Sequence, residues 1–218
     1  AHPDGHDVPC GRRIIDDDWP EFAAPTDAYP GGVRILRFSA GDDDRFLRKE
    51  DLWPYLGRDW VPAVAAAYIQ EGGFPDAFTG HYGDGGLAAV LLRARHGVPF
   101  TFTAHSLGAQ KLDKLAGTGL SELQARYHFA ERLIAERLSM NHSGMNVTST
   151  RQERREQYGH PAYAGAVDPE DDTRFAVVPP GVNLPAEKRL QAAVLSMIHD
   201  GLLASAHDCS QGGLACTL

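Results

Sequence analysis

Three observations predict an α/β fold, a parallel sheet with helices on both of its faces. Short runs rich in β-branched and aromatic residues recur along the chain, helical patterns lie between most of them, and the runs end in turns of small and polar residues. Of the 218 residues, 43% are hydrophobic, enough to bury a substantial core.

The first strand expected is "VRILRFSA" (33–40), followed by a helix over "WVPAVAAAYIQEG" (60–72). A strand at "PDAFTGHYG" (75–83) leads into a helix over "GGLAAVLLRARHG" (85–97). "VPFTFTAH" (98–105) alternates Phe with Thr, the period of a strand, and breaks through Ser-Leu-Gly into a charged amphipathic helix, "AQKLDKL". "LSELQARYHFAERLIAERLSM" (120–140) reads as one helix with Leu120, Leu123, Tyr127, Leu133 and Leu138 as its apolar stripe. Glu131, Arg132, Glu136 and Arg137 lie between those positions and read as a solvated face. Strands at "GMNVTST" (144–150) and "RFAVVPPGV" (174–182), with a helix at "RQERREQYG" (151–159), complete the pattern. Ligands of such sheets sit beyond the carboxyl ends of the strands, here "GHYGDGG", "AHSLGAQK", "TSTRQE" and "PPGVN".

Composition narrows the partners. The formal net charge is −8 and no stretch interleaves basic with aromatic residues, which argues against nucleic acid. Cys10, Cys209 and Cys216 form no C-x-x-C pair, so neither a disulfide framework nor a zinc site is indicated, and a cytoplasmic location fits. No apolar stretch is long enough to span a membrane. The acidic runs at 16–18, 42–44 and 170–172 lack His or Glu at ligand spacing and read as solvated loop acids; His2 and His6 are assigned no role.

The turn at Ser106 admits three readings. Ala104, Ser106 and Gly108 fall one glycine short of the G-x-S-x-G nucleophile elbow, in the strand–turn–helix setting an elbow needs. A serine hydrolase then requires an acid and a histidine downstream, an order that Asp168 with His199 or His207 satisfies, although no H-G-G-G type stretch precedes the serine. Lys111, in the first turns of the following helix, favours an anion site in which a hydroxyl, a helix N-terminus and an ammonium share a phosphate. Plain helix capping by Ser106 is the third.

Six segments in order, "DDRFLRKEDLWPYL", "GHYGDGGLAAVLL", "VPFTFTAHSLGAQKLDKL", "RLIAERLSMNHS", "TSTRQERREQYG" and "FAVVPPGVN", resemble sucrose-phosphate synthases and related retaining glycosyltransferases over residues 12–183. The resemblance implies the GT-B arrangement of two Rossmann-like domains across a cleft, with residues 1–183 as the N-terminal, acceptor-binding one. It implies transfer of a hexose from a nucleotide-sugar co-substrate to fructose 6-phosphate or a similar sugar phosphate, with no cofactor and no metal. Ser106 and Lys111 would bind the acceptor phosphate or its sugar with Tyr82 beside them, Arg132 and Lys49 would add positive charge, and His105 would reach toward the transferred hexose. A phosphate carrying nearly two negative charges suits those cations, and anchoring it orients the acceptor hydroxyl.

Two departures qualify what the resemblance implies. The family places a first strand, a Gly-Gly-Gln type loop and a helix ahead of the segment that "RRIIDDDWPEFAAP" resembles. Here that segment starts at Arg12, which implies a truncated sheet without a central strand. After Asn183 no donor-domain pattern follows. The tail, 184–218, instead resembles a piece of phosphoribosylformylglycinamidine synthase through His207, Asp208, Ser210, Gly212 and Gly213. The expectation is a glycosyltransferase fragment inactive by itself, its donor domain supplied by another chain if at all; a non-catalytic sugar-phosphate-binding domain is the alternative.

Overall fold

The computed structural model describes residues 6–11, 25–30, 32–41, 47, 51–115, 117 and 119–179, together with 189, 192, 196 and 199–200. Its contacts divide the chain into two units, Ala1–Pro179 and Pro180–Leu218.

The described strands of the first unit form two sheets. In the smaller, β3 (Val33–Phe38) lies between β1 (His6–Gly11), which runs parallel to it, and β2 (Thr26–Tyr29), which runs antiparallel. The β2–β3 hairpin pairs Tyr29 with Val33 across a tight loop in which Gly32 takes the left-handed conformation, φ 76°. The larger sheet is fully parallel, in the order β4 (Phe78–His81), β5 (Phe100–Thr103), β6 (Met145–Thr148) and β7 (Phe175–Val177). Parallel neighbours demand crossovers. α1 (Val61–Gln70) follows β3 and precedes β4, α2 (Tyr82–His96) joins β4 to β5, and α3 (Gly108–Lys114), α4 (Leu120–Tyr127) and α5 (Phe129–His142) intervene before β6.

Alternation in β5 sends Phe100 and Phe102 into the core while Thr101 and Thr103 stay half-buried. Those phenylalanines cluster with Ala89 of α2, Met140 of α5, Tyr158, Tyr163 and Phe175. A second cluster joins Leu36 of β3 to Val61, Val64 and Tyr68 of α1 and to Ala88 and Leu92 of α2. α2 therefore belongs to both cores, and Gly86 lets it approach α5: a Cβ there would lie 2.3 Å from Ser139 Oγ.

The α/β, Rossmann-like expectation holds, with local corrections. Residues 6–11, given no role from the sequence, form β1, an edge strand parallel to β3. The expected helix over 120–140 is two helices. His128 adopts φ 49°, ψ 46°, ending α4 and starting α5. Gln124 makes that break affordable to the backbone by accepting from Ala130 N and donating to Glu131 Oε2 at 2.6 Å. The expected helix over 151–159 is a single α-turn, Arg151–Glu153, N-capped by Thr150, continuing into a π-turn, Arg154–Tyr158. α2 starts at Tyr82 rather than at Gly85.

In the second unit, residues 189, 192, 196 and 199 are helical, and Asp200 N donates to Ser196 O at 2.8 Å. His207, Asp208, Ser210, Gly212 and Gly213 lie outside the described residues.

Candidate functional site

β4 and β5 are parallel neighbours with His81 paired to Thr103, so the turns that follow them emerge side by side at the carboxyl ends of the strands. His81 Nδ1 lies 2.8 Å from His105 Nε2, and the ring of Tyr82 lies 4.8 Å from that of His105. A hydrogen bond between two imidazoles needs one nitrogen to donate and the other to accept, so at least one of the two rings is neutral. For His81, partial desolvation first and the neighbouring His105 second push the imidazole below its usual value.

Backbone geometry at this junction is unusual. Tyr82 and His105 both take the left-handed region, at φ 58° and φ 56°. Around His105 the Ser106 amide donates back to Ala104 O at 2.6 Å, a tight γ-type turn that must be held by its surroundings. Buried Ala104 and Leu107 anchor it on either side, and Ala104 N donates to the Tyr158 hydroxyl at 3.3 Å. The π-turn at 154–158 carries that tyrosine.

Beneath the turn lies a buried ionic network. Arg132 of α5 donates from a terminal nitrogen to Ser106 O at 2.8 Å and from Nε to Glu136 Oε1 at 2.8 Å. Glu136 has no solvent exposure. Its carboxylate accepts from Gly108 N, 3.0 Å from each oxygen, and from the Tyr163 hydroxyl. Tyr163 in turn accepts from Ala109 N at 3.1 Å. Burial and the Glu136 charge both raise the pKa of the Tyr163 phenol, which keeps it a donor. Glycine shapes the contact as well: a Cβ on Gly108 would fall 2.9 Å from Arg132 Cδ, and one on Gly83 3.4 Å from Glu136 Cγ.

The structure brings Tyr82, His105 and Ser106 to one end of the sheet and ties Arg132 to Ser106 through its carbonyl. Lys111 lies exposed on α3, and Lys49 lies outside the described residues. One element of the anion-site reading is corrected. The first two amides of α3 are taken by Glu136 and Tyr163, so the α3 terminus already holds an anion of the protein's own. Ser106 is not the N-cap either; Leu107 occupies that position and no side chain caps it. Of the hydrolase partners, Asp168 Oδ1 accepts from the Glu170 amide in a local turn, and His207 lies outside the described residues.

The acids at 170–172 are largely solvated loop acids, as expected, that also pair locally: Glu170 contacts Arg155, Asp171 accepts from Thr173, and Asp172 pairs with Arg154 at 2.6 Å. The runs at 16–18 and 42–44 lie outside the described residues. Among the described residues no group of three or more His, Cys, Asp or Glu side chains is arranged to hold a metal ion, and no helix is long and apolar enough to cross a membrane.

Sequence reasoning missed Glu136, Tyr163, Tyr158 and His81. A signal for Glu136 existed. Phe129, Leu133, Glu136 and Met140 recur at helical spacing, which sets Glu136 on the buried side of α5 and not on the solvated face assigned to it.

A parallel α/β sheet whose strand-end turns present His105, Ser106 and Tyr82 beside the Arg132–Glu136 network defines a Rossmann-like α/β domain. The family described as "Sucrose synthase first GT-B domain" matches residues 33–184. The chain belongs to that family. It is 46% identical over 174 residues to a probable sucrose-phosphate synthase of Thermosipho melanesiensis, covering 79% of this chain and 40% of that protein. With the sucrose-phosphate synthase of Zea mays it shares 37% over 144 residues, 59% of this chain and 13% of the maize protein. The chain thus spans less than half the length of either relative. Among solved structures, a sucrose-phosphate synthase from Thermosynechococcus elongatus superposes with a TM-score of 0.61 at 21% identity, over 86% of this chain and 42% of that one, a likeness of fold.

Proposed function

We propose that this chain is the acceptor-binding domain of a sucrose-phosphate-synthase-like hexosyltransferase and that its ligand is fructose 6-phosphate or a closely similar sugar phosphate. The observation that carries the reading is the 46% identity to a probable sucrose-phosphate synthase over 174 residues, joined to the convergence of the β4 and β5 turns at one sheet end. In this reading Lys111 and the Ser106 hydroxyl hold the phosphate, Tyr82 packs beside the sugar, Lys49 adds positive charge, and His105 faces the transferred hexose. Arg132 contributes less net charge than its type suggests, because Glu136 compensates it at 2.8 Å; its part is chiefly to fix the Ser106 carbonyl. With the first two α3 amides already taken inside the protein, side chains carry the anion.

Transfer itself needs a nucleotide-sugar donor and a domain to hold it. The chain spans 40% of its bacterial relative, so acceptor binding is the step assigned to these residues. No protein nucleophile and no metal is assigned to the step.

Calorimetric titration of fructose 6-phosphate into the chain, with Lys111→Ala alongside, tests the assignment. Losing one charge-assisted phosphate contact weakens binding by about 1.5 to 3 kcal/mol, roughly 10- to 150-fold. Equal heats from both proteins would remove Lys111 from the site, and no heat from the parent chain would remove the acceptor reading.

A further inference from the structure

We propose that Glu136 is the positioning residue of the β5–α3 turn, and that with Tyr163 it sets the conformation in which His105 and Ser106 are presented. The expected loss of acceptor affinity rests on the acceptor-binding reading; the conformation of the turn does not.

The first support is how completely the carboxylate is engaged. It is wholly buried, yet it takes bonds from a backbone amide, a phenol and a guanidinium drawn from three separate segments: Gly108 on α3, Tyr163 in the turn after the π-segment, and Arg132 on α5 itself. Stability alone does not call for such an arrangement, because well-packed apolar groups of similar volume commonly serve as well or better. A set of directional bonds converging on one point does what apolar packing does less well, which is to hold a neighbouring segment in one geometry.

The segment it holds is one that needs holding. His105 sits at φ 56°, and Ser106 N closes a tight turn on Ala104 O. A β-carbon residue in that region returns to an ordinary conformation unless the flanking backbone is fixed. The carboxyl side of the turn is fixed by this network: Ser106 O by Arg132, Gly108 N by Glu136, and Ala109 N by Tyr163. Gly83 and Gly108 leave the space that brings the starts of α2 and α3 against the same carboxylate. Glu136 thus bonds the start of α3, which follows His105 and Ser106, and packs beside the start of α2, which carries Tyr82.

The test uses Tyr163→Phe, which removes one hydroxyl and keeps the ring, and Glu136→Gln, which keeps the volume and removes the charge. The readouts are NMR of the His81 and His105 imidazoles through a pH titration, and fructose 6-phosphate affinity by calorimetry. For Tyr163→Phe the expected result is cooperative unfolding, displaced imidazole resonances with a shifted His81 titration midpoint, and about tenfold weaker acceptor binding. Glu136→Gln shifts the same signals further. A Tyr163→Phe protein that folds cooperatively with parental imidazole titrations overturns the proposal, even if its stability is lower and whatever Glu136→Gln does. If the parent chain binds no fructose 6-phosphate, the acceptor reading fails and the imidazole titrations alone decide the positioning role.

Discussion

Adjacent glycines in α2 make opposite predictions for the same substitution. Gly86→Ala would place a Cβ 2.3 Å from Ser139 Oγ, 2.7 Å from Phe102 Cε2 and 2.8 Å from Ser139 Cβ, where ordinary contact begins near 3.4 Å. Both neighbours are fully buried, so relief of an overlap of that size must come from separating α2 from α5 and from β5. Overpacking of this kind costs about 1–3 kcal/mol, and the helix propensity gained by replacing glycine with alanine, about 1 kcal/mol, offsets only part of it. Gly85→Ala gains the same propensity, and its Cβ meets nothing closer than Gly80 C at 3.9 Å. The two variants should therefore differ by about 2 kcal/mol, Gly85→Ala more stable than the parent and Gly86→Ala less. In urea, with a slope near 2 kcal/mol/M, that is a separation of about 1 M in midpoint at unchanged slope. A Gly86→Ala midpoint at or above that of Gly85→Ala would refute the close α2–α5 approach.

Two further outcomes concern the histidine pair. His81 binds its proton less readily folded than unfolded, so stability is full above the ordinary histidine value near 6.5 and falls as pH drops below it toward the folded-state value. Between about pH 7.5 and 5.5 the parent chain should lose more stability than His81→Gln, measured as urea midpoints; equal losses would count against an imidazole whose protonation the fold disfavours. At position 105, His105→Gly and His105→Ala both lose the ring contacts, but glycine accepts φ 56° without strain. The glycine variant should melt later than the alanine variant by the equivalent of about 1 kcal/mol, and identical melts would mean that the turn stores no strain.

What the sequence disclosed follows from how local each signal is. β5 was legible because Phe100, Thr101, Phe102 and Thr103 alternate strictly, and α2 because its small and apolar residues run on to Gly97, a left-handed C-cap at φ 76°. β1 was not legible: "HDVPCG" is short, polar and interrupted by Pro9, and it becomes a strand by pairing with β3, a long-range event without a local signature. The break between α4 and α5 was hidden for a related reason. His128 is no helix breaker by type, and the left-handed turn there is sustained by Gln124 bonding across it.

The site divides along the same line. The strand-end turns "GHYGDGG" and "AHSLGAQK" were located by the order of elements without any knowledge of packing; within them Ser106 stood out by the elbow-like pattern, and Tyr82 and His105 by the family resemblance. Glu136 escaped because a charged residue on a helix is most often on its wet side, and overturning that expectation requires weighing the spacing of its neighbours above its own charge. Tyr163 escaped because its phenol serves a carboxylate 27 positions away in the chain, a separation at which no window on the sequence connects the two. The residues proposed to meet a ligand are thus read from local pattern and family resemblance, while those that hold them in place are read from tertiary contacts. Conservative changes at Tyr163 and Glu136 therefore interrogate the site more sharply than changes at Ser106 itself, where loss of a contact and loss of a conformation coincide.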